Sequence, residues 1–258
     1  MVTDINIGET GRLVFVGDIH GNFQKLLSKS TEFTNTIFII CGDCGFGFVD
    51  TKKDKIKKMI KSYSPSLNAK NNFFIFLRGN HDNPEYFKHN NNLNTNRFIL
   101  VDDYDVVTVR TNNKIKNILC VGGAISIDRK KRTINKSYWK NEAPVYDESK
   151  LVNLSDIDIV ATHSSPSFVF PLGKKSISYY LLIDSELDSD LNKERQVFDN
   201  IYNYLITHNH KIEYWFYGHF HKYYEMKYEN TMFICNDMCD STSNGYTISG
   251  INYTEYKL

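Results

Sequence analysis

Arg12-Leu13-Val14-Phe15-Val16-Gly17-Asp18-Ile19-His20-Gly21 is the stretch on which the fold turns. Its first five residues, rich in β-branched and aromatic side chains, read as a buried strand. Glycine breaks the run, and an aspartate and a histidine follow at once. Phe23, Leu26 and Leu27 then form an apolar stripe at helical spacing. A strand ending in metal-binding side chains and leading into a helix opens an α/β protein with its ligands at the carboxyl edge of a sheet.

The same grammar recurs. Thr36-Ile37-Phe38-Ile39-Ile40 ends at Gly42-Asp43, and Phe73-Phe74-Ile75-Phe76-Leu77 at Gly79-Asn80-His81-Asp82. Ile118-Leu119-Cys120-Val121 ends at Gly122-Gly123, and Ile157-Asp158-Ile159-Val160 at Thr162-His163. Tyr214-Trp215-Phe216-Tyr217 ends at Gly218-His219-Phe220-His221. Helical spacing returns at Ile56, Met59 and Ile60 within residues 51–62, and at Val197, Ile201, Tyr204 and Leu205 within residues 190–207. The runs at 231–235 and 246–253 suggest a second sheet. Residues 90–96, rich in Asn, read as a loop, and 129–149, polar around Trp139, as a long loop over the site. A single domain spanning residues 1–258 is expected.

A formal net charge of +1 gives no push toward nucleic acid or membrane. No run has transmembrane length, and the first apolar run, residues 13–16, is too short for a secretory leader. Five cysteines, an odd number, argue against a disulfide framework and for a reducing compartment, so a soluble cytoplasmic protein is expected. Cys41 with Cys44, and Cys235 with Cys239, have zinc-like spacing, but Asp43 lies inside the first pair and Cys41 closes a strand. His208 and His210 read as solvent-facing residues at a polar helix end. The lysines of residues 52–61 read as a solvated helix face.

Carboxylate, imidazole and amide oxygen together are the ligand set of a two-metal hydrolytic site. Asp18 and Asp43 supply charge, and one carboxylate can bridge two cations. His20, His163, His219 and His221 would bind as neutral imidazoles, and Asn80 through its amide oxygen. On an extended segment, the two-residue step from His219 to His221 would point both rings the same way. Two cations clamp a phosphate and activate water. His81, beside Asn80, is placed to protonate the leaving oxygen as general acid, with Asp82 orienting the ring or the loop. Arg129 and Arg132 could bind a substrate phosphate bidentately or form structural ion pairs. The mixed N/O set without thiolate suits manganese, iron, zinc or nickel better than magnesium.

The blocks Gly17-Asp18-Ile19-His20-Gly21, Gly42-Asp43, Gly79-Asn80-His81-Asp82, Thr162-His163 and Gly218-His219-Phe220-His221 resemble, in order, the five signature blocks of the calcineurin-like metallophosphoesterase superfamily. The resemblance implies a four-layer α/β/β/α sandwich of two mixed sheets flanked by helices, with two divalent metal ions at the sheet edge. By position it gives Asp18, His20 and His221 to one metal and Asn80, His163 and His219 to the other, with Asp43 bridging. Gly122-Gly123-Ala124-Ile125-Ser126-Ile127-Asp128-Arg129, with Arg132 and Trp139 beyond, resembles a segment of a bacterial and phage branch. One departure matters. Where the Ser/Thr phosphatase branch has Val-Asp-Arg-Gly after its second block, this chain has Cys44-Gly45-Phe46-Gly47-Phe48. A phosphoprotein substrate is therefore less expected, and neither Asp50 nor Asp82 takes that branch's acid-orienting role by motif.

The expected activity is hydrolysis of a phosphorylated small molecule, nucleotide or phosphoprotein by metal-activated water. A nucleotide phosphodiesterase or pyrophosphohydrolase would use the same site. A non-catalytic scaffold on this fold is the alternative from another class. Specificity is expected in loops 129–149 and 166–190.

Overall fold

The computed structural model describes residues 2–8, 11–48, 53–89, 91–169, 171–239, 247–248 and 251–258. Asp50, Thr51, Lys52, Asn90 and Tyr246, each part of a sequence reading above, lie outside the described residues. The strands are β1 (Val2–Asn6), β2 (Arg12–Val16), β3 (Thr36–Ile40), β4 (Phe73–Phe76), β5 (Phe98–Leu100), β6 (Asp105–Arg110) and β7 (Ile115–Val121). They continue with β8 (Ile157–Thr162), β9 (Tyr214–Tyr217), β10 (Tyr224–Tyr228), β11 (Thr231–Cys235), β12 (Thr247–Ile248) and β13 (Ile251–Lys257). The helices are α1 (Phe23–Ser30), α2 (Lys53–Lys70), α3 (Ser178–Ile183) and α4 (Leu187–Thr207).

Alternation along the strands makes the layers. Leu13, Phe15, Ile37, Ile39, Ile75, Ile118, Cys120, Ile159 and Phe216 point into one core. Their neighbours Val14, Val16, Phe38, Ile40, Phe74 and Phe76 join Phe23, Leu26 and Leu27 of α1 and Ile56 and Ile60 of α2 in a second. Leu119, Val121, Val160, Trp215 and Tyr217 meet Phe198, Ile201 and Leu205 of α4 in a third. A strand buried on both faces reads as a continuous apolar run for this reason. Phe15 and Phe216 stack at 3.7 Å between ring centroids, across the two sheets. Helices, sheet, sheet and helices thus form four layers.

One sheet has the order β1-β6-β7-β8-β9-β11-β10 and the other β12-β13-β2-β3-β4-β5. β2, β3 and β4 run parallel, as do β7, β8 and β9. Parallel neighbours share a carboxyl edge, so the residues just beyond these strands are gathered at one end of the sandwich.

Several expectations change. The two late apolar runs do not build a second sheet: β11 pairs with β9 and β13 with β2, one in each sheet. α2 continues past residue 62 and through Pro65 because Ile60 and Leu67 are buried on either side of it. Residues 166–190 contain α3 and two short 3-10 turns. His210 is buried, and its Nδ1 accepts the Ile157 N–H at 3.1 Å, whereas His208 is exposed and stacks on Tyr204. The reason is that His210 lies where the chain leaves α4 and turns under β8. Among the described residues no helix is long and apolar enough to cross a membrane.

Candidate metal centre and its pocket

Asp18, Asp43 and Asn80 follow β2, β3 and β4, while His163, His219 and His221 follow β8 and β9. The turns that carry them are tight. His20, Asp43, His219 and His221 all have positive φ, at 43°, 45°, 71° and 47°. Non-glycine residues hold such angles only where the surroundings impose them, and such strain gathers at functional sites. Glycine is required beside them. A Cβ at Gly79 would run into the Asp43 backbone and carboxylate, and one at Gly42 (φ 94°) into the His163 ring.

Asp18, His20, Asp43 and His221 each bring one ligand atom into a group in which all lie within 4.8 Å of one another. His20 Nε2 and His221 Nε2 are 2.9 Å apart, and His221 Nε2 is 2.9 Å from Asp18 Oδ2. Asp18 Oδ1 accepts the His219 N–H at 2.8 Å. Asp18 Oδ2 is buried without an aligned hydrogen-bond partner. A buried carboxylate oxygen left in this way costs free energy unless a cation meets it. The donor set therefore fits a divalent cation.

A second group adjoins the first through Asp43. His163 Nε2 lies 3.1 Å from Asp43 Oδ1 and 3.1 Å from Asn80 Oδ1. The other nitrogen, Nδ1, lies 2.7 Å from the Cys41 carbonyl and donates to it, which aims Nε2 into the site. The His219 ring sits 5.0 Å from that of His163. Burial alone would raise the Asp43 carboxyl, but His81, His163 and His20 outweigh it and hold it well below the usual range. Burial would lower His163, yet Asp43 and Asp18 push it up to about 9. His219 is driven well down by burial.

His219 and His221 do not lie on an extended segment. Their positive φ values and the Phe220 N–H donated to the Gly218 carbonyl make a tight bend. The bend sends His219 toward His163 and His221 toward His20.

His81 stands at the edge of the second group. Its N–H donates to Asp43 Oδ1 at 2.7 Å, and its ring stacks on Phe48 at 4.6 Å. Arg132 Nη2 touches His81 Nε2. Guanidinium only donates, so Nε2 accepts, and the proton of the neutral ring lies on Nδ1. Burial lowers the His81 pKa, opposed by Asp43 and reinforced by Arg132.

The remaining sequence candidates separate. Asp82 is fully buried, and its carboxylate accepts the N–H groups of Cys44, Gly45, Phe46 and Gly79. These bonds tie it to the loop after β3 and to Gly79 of its own loop rather than to the His81 ring. Arg129 is taken up by Asp184 (2.6 Å) and Asp190 (2.8 Å), so it forms a structural ion pair rather than a phosphate contact. Arg132 keeps a place in the pocket, where Asp128 (2.6 Å) and Ser126 Oγ (3.0 Å) brace it.

Glu142 escaped the sequence reading because nothing in the polar loop distinguishes it from its neighbours. It is buried, and its carboxylate accepts the Ser126 N–H (2.6 Å) and hydroxyl (2.7 Å). Ser126 Oγ in turn accepts from Asn80 Nδ2 at 3.1 Å. Glu194, also missed, holds the Ile125 N–H and the Ser164 hydroxyl.

Above the two groups opens a cavity of about 620 Å³. Asp43, Asn80, His81, His219, His221 and Arg132 line one side, and residues from 172 to 195 line the other.

The sequence model described as calcineurin-like phosphoesterase matches residues 11–223. No protein of curated function matches the sequence. Among solved structures the chain is similar to the GAP50 anchor in the inner membrane complex of Plasmodium, with 14% identity, 96% of this chain and 81% of that chain covered, and a TM-score of 0.44. It is similar to the phosphopantetheinyl hydrolase PptH from Mycobacterium tuberculosis, with 14% identity, 90% and 91% covered, and a TM-score of 0.44. It is also similar to a putative 5'-nucleotidase from Staphylococcus aureus, with 13% identity, 89% and 49% covered, and a TM-score of 0.42.

Proposed function

We propose that this chain, which belongs to the calcineurin-like phosphoesterase family, hydrolyses phosphate esters at a dinuclear metal centre with His81 as general acid. The observation that carries the reading is the convergence of Asp18, His20, Asp43 and His221 within 4.8 Å of one another around the buried Asp18 carboxylate. Asp18, His20 and His221 would hold one divalent cation and Asn80, His163 and His219 the other, with Asp43 shared. When bound, the cations would supply Lewis acidity toward the phosphoryl group and lower the pKa of water.

The chain's own residues do the rest. Arg132 binds a phosphoryl oxygen and in doing so leaves His81 Nε2. The freed imidazole takes up a proton from solvent at Nε2 and passes it to the leaving oxygen, and Phe48, stacked on the ring, holds its plane. Asp43 Oδ1 fixes the His81 backbone, so the acid and the shared ligand move together. Five buried free thiols suit a reducing compartment, which supports a cytoplasmic setting.

The test is turnover of a panel of phosphate monoesters, diesters, nucleotides and phosphopeptides after chelation and after return of manganese, iron, zinc or nickel. Activity that disappears with chelation, returns with a divalent cation and is lost in Asp43→Ala supports the reading. Turnover indifferent to chelation sinks the metal mechanism. Metal binding without turnover of any ester favours a scaffold.

A further inference from the structure

We infer that the cavity wall opposite the metal centre is a subsite for an apolar leaving group, so that the substrate is a small-molecule phosphoester of an uncharged, hydrophobic alcohol. The inference rests on the phosphoesterase reading for its chemistry and adds the alcohol side of the bond. Ile127, Leu172, Ile177, Tyr180 and Leu191 line the cavity and are each only half-buried. They come from the Ile127 turn, from Leu172 with the turn after it and α3, and from the first turns of α4. Apolar side chains left half-open in a concave site are the usual lining for an apolar ligand.

Charge points the same way. The charged side chains at this end are engaged: Lys174 and Asp188 neutralise each other at 2.6 Å, and the buried Arg195 donates to Ser164 Oγ at 3.0 Å and to the Ser165 carbonyl at 3.2 Å. The cationic Arg132 lies at the other end, beside His81. A second phosphate on the leaving group would have to sit against the apolar wall. That arrangement opposes a pyrophosphate and suits a neutral alcohol. A cavity of about 620 Å³ is also far larger than one phosphoryl group needs, and lies within the range of small-molecule sites.

The wall is already in place. Arg129 joins Asp184, just past α3, and Asp190, in the first turn of α4, to the turn that follows Ile127. Ser167 donates its N–H and hydroxyl to Asp199 of α4. Binding therefore need not order the wall first.

The experiment uses methyl, butyl and hexyl phosphate, whose alcohols are of nearly equal acidity, so that only the apolar contact varies. With the cation that supports turnover, KM is expected to fall about tenfold or more from methyl to hexyl. Tyr180→Ala and Leu191→Ser, both on open positions, are expected to shrink that ratio toward one. Equal KM values for all three esters would overturn the subsite and leave the phosphoesterase reading standing. Calorimetric titration with hexylphosphonate and methylphosphonate reads the subsite without turnover. A hexyl preference that Tyr180→Ala removes supports it even if no ester is hydrolysed, the result that would sink the phosphoesterase reading instead. No preference for the longer chain overturns the subsite.

Discussion

Asn80 Nδ2 donates to Ser126 Oγ at 3.1 Å, and this bond decides which end of the amide faces His163. Oδ1 is left 3.1 Å from His163 Nε2. Ser126→Ala releases the amide to rotate. Outer-shell partners of this kind are worth about 10–100-fold in metal affinity. Calorimetric titration with Mn²⁺ should show a loss of that order, with Ser126→Thr recovering most of it. An unchanged isotherm for the alanine variant would mean that the amide is fixed by other contacts.

His81→Ala tests the proton donor. Its kcat on alkyl phosphates should drop about 100-fold or more. The loss should shrink on p-nitrophenyl phosphate, whose leaving oxygen needs little help. The melting temperature should hardly move, since the ring lies at the pocket edge. An equal loss on both classes of ester would assign His81 to binding instead.

Asp82 is a matter of stability. Asp82→Ala leaves the N–H groups of Cys44, Gly45, Phe46 and Gly79 without their buried acceptor. At about 1–3 kcal/mol for each group left unsatisfied, a loss of at least 3 kcal/mol is expected in urea unfolding. A loss below 1 kcal/mol would show that the loop closes on other partners.

The two arginines should part company. Arg132→Ala should raise KM for every phosphoester by about tenfold, the loss of one charged hydrogen bond. Arg129→Ala should lower the melting temperature while KM for methyl phosphate changes less than KM for hexyl phosphate. The opposite pattern would return Arg129 to phosphate binding.

Glu142 makes stability depend on pH. Burial pushes its carboxyl up to about 7 from an ordinary 4.5, against the lowering effect of the Ser126 N–H and hydroxyl. The folded pKa is raised, so the contribution is fully present below pH 4.5 and fades as pH climbs through 7. The stability of the parent protein relative to Glu142→Gln should fall by about 3 kcal/mol across that window. Urea unfolding of the two metal-free proteins at a series of pH values measures it. A constant difference would mean that Glu142 ionises freely.

Much of this was legible in the chain. The runs before Asp18, Asp43, Asn80, His163 and His219 declared themselves as strands because burial on both faces demands unbroken apolar side chains. Strands β1, β5, β6 and β10 were not legible. They are short or alternate weakly, and tertiary neighbours rather than their own sequences hold them extended. His210 was misread because polarity along a helix end says nothing of what packs above it.

The sequence by itself determined the donor types, their order and the strands that carry them, since those depend on local pattern and on the chemistry of each side chain. Only the tertiary structure decided how these side chains are grouped. Parallel pairing set Asp43 beside both groups, and the bend at Phe220 split His219 from His221. It also bound Arg129 to Asp184 and Asp190 while leaving Arg132 against His81, and it set an apolar wall opposite the ligands. Those outcomes depend on contacts between residues far apart in the chain, which no local pattern encodes.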